Sequence, residues 1–138
     1  MIYIASKTRH APRWIQHKRD GAPIISSWIY EADVGATCNF SELWTRIQRE
    51  VSLSKVLILY VEAEDAGKLK GAFIEVGMAL AYGVRVIVAA EGFGVPDRGD
   101  NFAPHGSWIH HPNVTFLCGQ HALERAFSLA HRHLDATS

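Results

Sequence analysis

Glu75 is the residue whose type and position most directly suggest chemistry. It is the one charged side chain between Lys70 and Arg85, in a segment otherwise too apolar to face water. Burying a carboxylate is costly unless it opens on a polar cavity, and the first turns of a helix favour an anion. Such a partly desolvated carboxylate can act as a nucleophile or base. The alternative is a structural glutamate that pairs with an arginine or caps helix amides.

A short polar segment follows the first predicted strand. Ser6, Lys7, Thr8 and Arg9 supply two cations and two hydroxyls that can hold a phosphate group. The alternative is a solvated loop, because no glycine-rich phosphate cradle accompanies these charges.

Several aromatic side chains offer stacking surfaces for a flat ligand. Trp14, Trp28, Tyr30 and Trp44 can stack on a nucleobase, and packing in the core is their other use.

The histidines show no metal-binding spacing. His110 and His111 are adjacent, and His131 and His133 are expected on different sides of the last helix. We therefore assign no metal and no cofactor.

Alternating strand-like and helix-like segments must position these residues, and this alternation predicts an α/β fold. The predicted strands are Ile2–Ser6, Pro23–Tyr30, Val56–Val61, Val84–Ala90 and Asn113–Cys118. The predicted helices are Ala11–Asp20, a helix capped by Ser41, a buried helix over Gly71–Gly83, and His121–Leu134. Glu31–Asn39 is predicted to be a loop.

This element order predicts a flavodoxin-like three-layer sandwich with a five-stranded parallel sheet of order 2-1-3-4-5. Ligands bind such sheets beyond the carboxyl ends of the strands, at the switch point. The crevice should therefore be walled by Ser6–Arg9, Glu62–Lys70 and the amino end of the Gly71–Gly83 helix.

Composition narrows the class of protein. The 138 residues fit one domain spanning 1–138, and 14 basic against 14 acidic residues give no support for binding a nucleic acid polymer. Cys38 and Cys118 have no paired spacing, and no run of 18 apolar residues occurs. We expect a cytoplasmic protein without a membrane segment that binds a small molecule.

The segment Gly71–Gly77, GAFIEVG, followed by MALAYG and a Val-Ile strand, resembles the nucleoside 2-deoxyribosyltransferase family, including related nucleoside 5′-monophosphate N-glycosidases. That family has a Gly-Thr/Ser-x-x-Glu-Leu-Gly helix start. The resemblance implies that Glu75 attacks the anomeric carbon of a nucleoside or nucleotide, giving a glycosyl-enzyme that another base or water resolves. It also implies that Tyr3, on the first strand, lies near Glu75, and that Gly71, Ala72 and Met78 contact the substrate.

The resemblance further implies a homo-oligomer. In the family, a neighbouring subunit helps to close the pocket with a segment after strand four, which here contains Asn101, His105 and Trp108.

Two positions depart from the family pattern. The helix before strand three lacks the aspartate that protonates the leaving base, and Ala72 replaces a hydroxyl residue. Asp65, on a loop expected to overhang the crevice, is our first candidate for the missing acid, ahead of Glu50.

These departures leave two functions open: an N-glycosidic enzyme, or a catalytically silent nucleotide-binding domain. A phosphoribohydrolase of the cytokinin-activating type ranks lower, because Lys68–Lys70 lacks that family's Pro-Gly-Gly run. A flavodoxin-like electron carrier is disfavoured by the absence of a phosphate cradle in the first loop.

Overall fold

The structure is a computed structural model that describes residues 1–92 and 105–136. Among these residues, no helix combines the length and the apolar character needed to cross a membrane.

The described elements alternate between parallel strands and helices, as the sequence predicts. The strands are β1 (Ile2–Ala5), β2 (Val56–Glu62), β3 (Arg85–Glu91) and β4 (Val114–Cys118). The α-helices are α1 (Ala11–Arg19), α2 (Trp28–Val34), α3 (Phe40–Leu53), α4 (Gly71–Ala81) and α5 (Ala122–Ala136). Short 3-10 helices span Thr8–His10, Ala63–Asp65 and Ser107–His110.

Helices cover both faces of the sheet, which explains why the central strand β2 is apolar almost throughout. Tyr3 aligns with Leu57 of β2 and faces α4, because its hydroxyl reaches Glu75. The opposite face carries Tyr60, whose ring lies 5.3 Å from that of Trp14 on α1. Side-chain alternation along each strand thus sends Tyr3 to the layer that contains α4 and Tyr60 to the layer that contains α1.

The predicted strand over Pro23–Tyr30 is wrong, because this segment bonds to β1 through its backbone at Ile2 and through its side chains at Ile4. Ile24 forms one isolated parallel bridge with Ile2. Further along, Ile4 donates its backbone N–H to Ser26 Oγ at 3.1 Å, and its carbonyl accepts from Trp28 Nε1 at 2.8 Å. The backbone hydrogen-bonding groups on the outer edge of β1 therefore find partners without a fifth strand, and the chain continues into α2.

The described sheet consequently has four strands in the order β1-β2-β3-β4, instead of five in the order 2-1-3-4-5. All of its strand pairs are parallel.

The start of α3 also differs from the prediction. Asn39, rather than Ser41, caps the helix, since its side chain accepts from the Glu42 N–H at 3.0 Å. Phe40, the first residue of the helix, is 68% exposed. Part of the predicted loop Glu31–Asn39 belongs instead to α2.

Helix α4 is followed by Gly83 at φ +74°, a left-handed position suited to a glycine after a helix. The prediction that this helix is buried on all sides is wrong. Ile74 is 56% exposed and Tyr82, just after the helix, is 45% exposed. Gly77 and Ala81 are exposed as well, so an apolar stripe of α4 faces outward in the monomer.

Candidate active site

Glu75 and Tyr3 form a buried pair between α4 and β1. The Tyr3 hydroxyl donates a hydrogen bond to Glu75 Oε1. Glu75 is 6% exposed and Tyr3 is fully buried, because α4 packs over the face of the sheet that carries Tyr3.

Burial controls the ionisation of both groups. It raises the pKa of Glu75 to about 7, although the hydrogen bond from Tyr3 acts in the opposite direction. The pKa of Tyr3 is raised well above its ordinary value, first by burial and then by the charge of Glu75. Tyr3 is therefore a permanent donor near neutral pH, whereas Glu75 titrates there.

A cavity of about 420 Å³ opens in front of Glu75. Its walls come from the loop after β1, from α2 and the turn after it, from α3, and from the amino end of α4. This volume lies within the range of small-molecule sites.

The cationic part of the wall comes from the loop after β1 and the start of α4. Ser6, Lys7, Thr8 and Lys70 line the cavity here. Ser6 is held in place because its hydroxyl accepts from Trp14 Nε1 at 2.9 Å and donates to the Lys7 carbonyl. Lys7 Nζ donates to the carbonyl of Lys68 at 3.3 Å, so it links the two loops at the cavity rim.

Aromatic rings form much of the remaining wall. Trp28, Trp44 and Phe40 line the cavity. Gly71 and Ala72 line it as well, and a Cβ at Gly71 would lie 3.4 Å from the Trp44 ring, so this glycine permits close packing at the start of α4.

Two of the predicted stacking residues lie elsewhere. Trp14 is fully buried in the core, and Tyr30 carries Lys18 Nζ over its ring at 5.2 Å.

Arg9 and Asp65, which were predicted as site residues, contact each other outside the cavity lining. Asp65 accepts from Arg9 at 2.9 Å, from the Glu62 N–H at 3.1 Å, and bonds to His10 at 2.9 Å. Burial raises the pKa of Asp65, but the hydrogen bonds from His10, Glu62 and Arg9 outweigh it and leave the pKa lowered. An ionised carboxylate with these partners joins the 3-10 helix Thr8–His10 to the 3-10 helix Ala63–Asp65.

Other predicted residues also lie away from the cavity lining. Glu50 accepts from the backbone N–H and the hydroxyl of Ser27, at 3.0 and 2.6 Å. Met78 packs against the core. The Trp108 indole donates to the His105 carbonyl and its ring contacts Phe73. Asn101 lies outside the described residues.

Sequence reasoning missed Glu31, which lines the cavity from α2. Its carboxylate lies 2.6 Å from Arg46 Nη2, and Thr37 donates to its other oxygen at 3.4 Å. No local signal marked it, because α2 was divided between a predicted strand and a predicted loop.

Among the described residues, His10, Glu62 and Asp65 place possible metal-ligand atoms within 4.8 Å of one another. The two carboxylates already pair with guanidinium groups, Arg9 with both and Arg13 with Glu62. We therefore assign no metal to this cluster.

No protein-family model matches the chain, and a search of curated proteins finds no match. Among solved structures, the chain is similar to the CMP N-glycosidase BcmB of Clostridium botulinum, with a TM-score of 0.59 and 15% identity. The match covers 93% of this chain and 95% of that chain. At this identity the likeness is one of fold. It shows that this chain has the same fold as that CMP N-glycosidase over nearly its whole length.

Proposed function

We propose that this protein cleaves the N-glycosidic bond of a nucleoside or nucleoside 5′-monophosphate, with Glu75 as the nucleophile. The observation that carries the proposal is the buried Glu75, bonded to Tyr3 at the wall of a 420 Å³ cavity. The fold shared with a CMP N-glycosidase supports the same reaction class.

The chemistry follows from an oxocarbenium-like transition state. A Glu75 carboxylate oxygen attacks the anomeric carbon as the bond from that carbon to the base nitrogen breaks, and the base leaves as an anion that takes a proton from solvent water. Water or a second base then attacks the same carbon, loses a proton to solvent, and releases the sugar from Glu75 as a free carboxylate. The Tyr3 hydroxyl orients the carboxylate, and its donated proton also stabilises the negative charge before attack.

The cationic wall supports a phosphorylated substrate. Lys7 and Lys70 supply charge, and the Thr8 hydroxyl a donor, for a 5′-phosphate on one side of Glu75. The Ser6 hydroxyl lines the cavity as well, but its proton is already donated to the Lys7 carbonyl. Gly71 and Ala72 leave room for the sugar near the helix start. Arg9 is not needed in this assignment, since its guanidinium pairs with Glu62, Glu64 and Asp65.

The test is to incubate the protein with nucleosides, deoxynucleosides and their 5′-monophosphates, with and without an added free base. Chromatography follows base release and exchange, and mass spectrometry of acid-quenched protein detects a sugar adduct on the peptide that contains Glu75. We expect turnover and adduct to be lost in Glu75→Ala. Full turnover in that variant contradicts the assignment of the nucleophile. Saturable binding of a nucleotide without any base release supports the silent binding domain instead.

We further propose that the chain forms a homodimer through α4. Ile74, Gly77 and Ala81 recur at helical spacing on its exposed side, and within α4 the charged side chain is the buried Glu75. A second copy offers the same stripe, so a twofold arrangement is self-complementary.

A further inference from the structure

The cavity carries a second carboxylate, Glu31, that the proposed cleavage does not use. Among the described lining residues, the acidic ones are Glu75 and Glu31, and the basic ones are Lys7 and Lys70. The proposed cleavage places Glu75 at the sugar and the two lysines at the phosphate. Glu31 lines the part of the cavity formed by α2, where the remaining part of the substrate, the base, can lie.

Glu31 shares a helix face with an aromatic ring. Trp28 and Glu31 are three residues apart on α2 and Ala32 follows, and all of them line the cavity. Residues at this spacing are neighbours on a helix surface. A flat ring placed against Trp28 therefore lies next to the Glu31 side chain.

The carboxylate is fixed in place. Arg46 Nη2 lies 2.6 Å from Glu31 Oε2 and the Thr37 hydroxyl contacts Oε1, so its orientation is held by α3 and by the turn after α2. The side chain is 26% exposed and remains accessible from the cavity. A carboxylate paired with a guanidinium is an acceptor, so it recognises hydrogen-bond donors and rejects carbonyl oxygens.

We infer that Glu31 selects the nucleobase, favouring bases whose edge carries an amino group over isosteres that carry a carbonyl oxygen there. The inference rests on the proposed function for the placement of the sugar at Glu75. To the proposed function it adds the class of base. Cytosine and adenine, which carry an amino group, should bind beside Glu31 better than uracil or hypoxanthine.

The test measures the affinity of matched nucleotide pairs by calorimetry in a Glu75→Ala background, where the proposed reaction cannot consume the ligand. The probes are CMP against UMP, and AMP against IMP. We expect at least one amino-bearing nucleotide to bind about tenfold or more tightly than its carbonyl isostere, the effect of one charge-assisted hydrogen bond. Glu31→Gln, which replaces one acceptor with a donor, should reduce that ratio to about threefold or less.

Glu42→Gln is the matched control. Glu42 pairs with the same Arg46 at 2.9 Å, but it does not line the cavity. Its substitution should leave the ratio unchanged. If both variants change the ratio equally, the effect arises from Arg46 and the inference is wrong.

This test can support or overturn the inference about Glu31 independently of whether the proposed function is correct. Equal affinities within both pairs, or tighter binding of UMP and IMP, overturn the inference even if base release is found. A preference for CMP or AMP that depends on Glu31 supports it even if no nucleotide is cleaved. Should Glu31→Gln fail to fold, the affinities of the Glu75→Ala protein alone can still overturn the inference, through equal binding within both pairs or a preference for UMP and IMP.

Discussion

Burial has two opposite consequences for the proposed nucleophile Glu75. A desolvated carboxylate is a stronger nucleophile than a hydrated one, but burial raises its pKa to about 7. The Tyr3 hydroxyl counteracts this effect and holds one oxygen in a fixed direction. The pair therefore sets the pH at which the proposed reaction begins.

The first prediction concerns Tyr3→Phe. Removing the hydroxyl takes away the hydrogen bond that lowers the pKa of Glu75, so the acid limb of kcat/KM should move to higher pH. We expect kcat/KM to fall by about tenfold near pH 6, as for a lost bond to a charged group, and by less near pH 8. Tyr60→Phe is the control, because that hydroxyl donates to Glu62 outside the cavity lining. An equal loss at all pH values would show that the hydroxyl orients Glu75 without setting its pKa.

The second prediction concerns the effect of the Glu75 carboxylate on the free energy of unfolding. Its pKa in the folded chain lies above the ordinary 4.5, so the folded protein binds more protons between about pH 4.5 and 7. Stability is therefore lost as pH rises through this window. Glu75→Gln should raise the free energy of unfolding by up to about 3 kcal/mol at pH 8 and change it little at pH 4.

Urea unfolding of both proteins at the two pH values measures this difference. The exposed Glu124 provides a comparison, since Glu124→Gln should leave stability unchanged at both. A Glu75→Gln protein that is less stable than wild type at pH 8 would show that the carboxylate is compensated better than its burial implies.

At the scale of elements, the site depends on how two loops are joined beyond the carboxyl ends of β1 and β2. Asp65 links them, because it bonds to Arg9 and His10 of one loop and to the Glu62 N–H of the other. The loop after β1 also carries Ser6 and Lys7 into the cavity wall. Asp65 thus supports the cavity from outside its lining.

The third prediction is that Asp65→Ala lowers the free energy of unfolding by about 3 kcal/mol, because buried His10 and the Arg9 guanidinium both lose the carboxylate to which they bond. The difference from wild type should shrink in acid, since the lowered pKa of Asp65 contributes stability only above that pKa. Below the melting temperature, kcat/KM should stay within about threefold of wild type.

The control for this prediction is Glu64→Ala, which removes an exposed carboxylate 3.3 Å from the same Arg9 guanidinium. It should change stability by about 0.5 kcal/mol or less. A drop in kcat of a hundredfold or more in Asp65→Ala alone would restore Asp65 as the acid for the leaving base.

Patterns of neighbouring residue types were enough to predict some strands and one residue of the site. β2 is apolar from Val56 to Val61, and Glu75 stands out because its neighbours carry no charge, so both could be recognised from sequence. The strand predicted at Pro23–Tyr30 failed because Ser26 and Trp28 satisfy β1 with side chains, a tertiary choice that leaves no periodic signal. Glu31 was missed for the same reason.

At the scale of the whole molecule, the monomer leaves part of its most apolar helix uncovered. Ile74 is 56% exposed although it directly precedes the buried Glu75. Beside the stripe, the Tyr82 hydroxyl accepts from Gln48 of α3 at 2.8 Å, which joins α3 and the end of α4 on one surface. Among the described residues, none has an atom within 4 Å of where a Cβ on Gly77 would lie, so a second helix can approach closely.

The last prediction follows from this surface. If a second copy covers α4, Ile74→Asp places a charge in an apolar twofold contact and should convert the dimer to a monomer, as measured by sedimentation or by light scattering during gel filtration. Val34→Asp is the control, because Val34 is 70% exposed on α2 and lies off the stripe. Wild-type protein that sediments as a monomer at micromolar concentration contradicts the dimer. Since Ile74 directly precedes the proposed nucleophile Glu75, the monomeric variant also tests whether turnover depends on the partner. Base release that falls on dissociation, and is kept in Val34→Asp, would mean that the second copy completes the site.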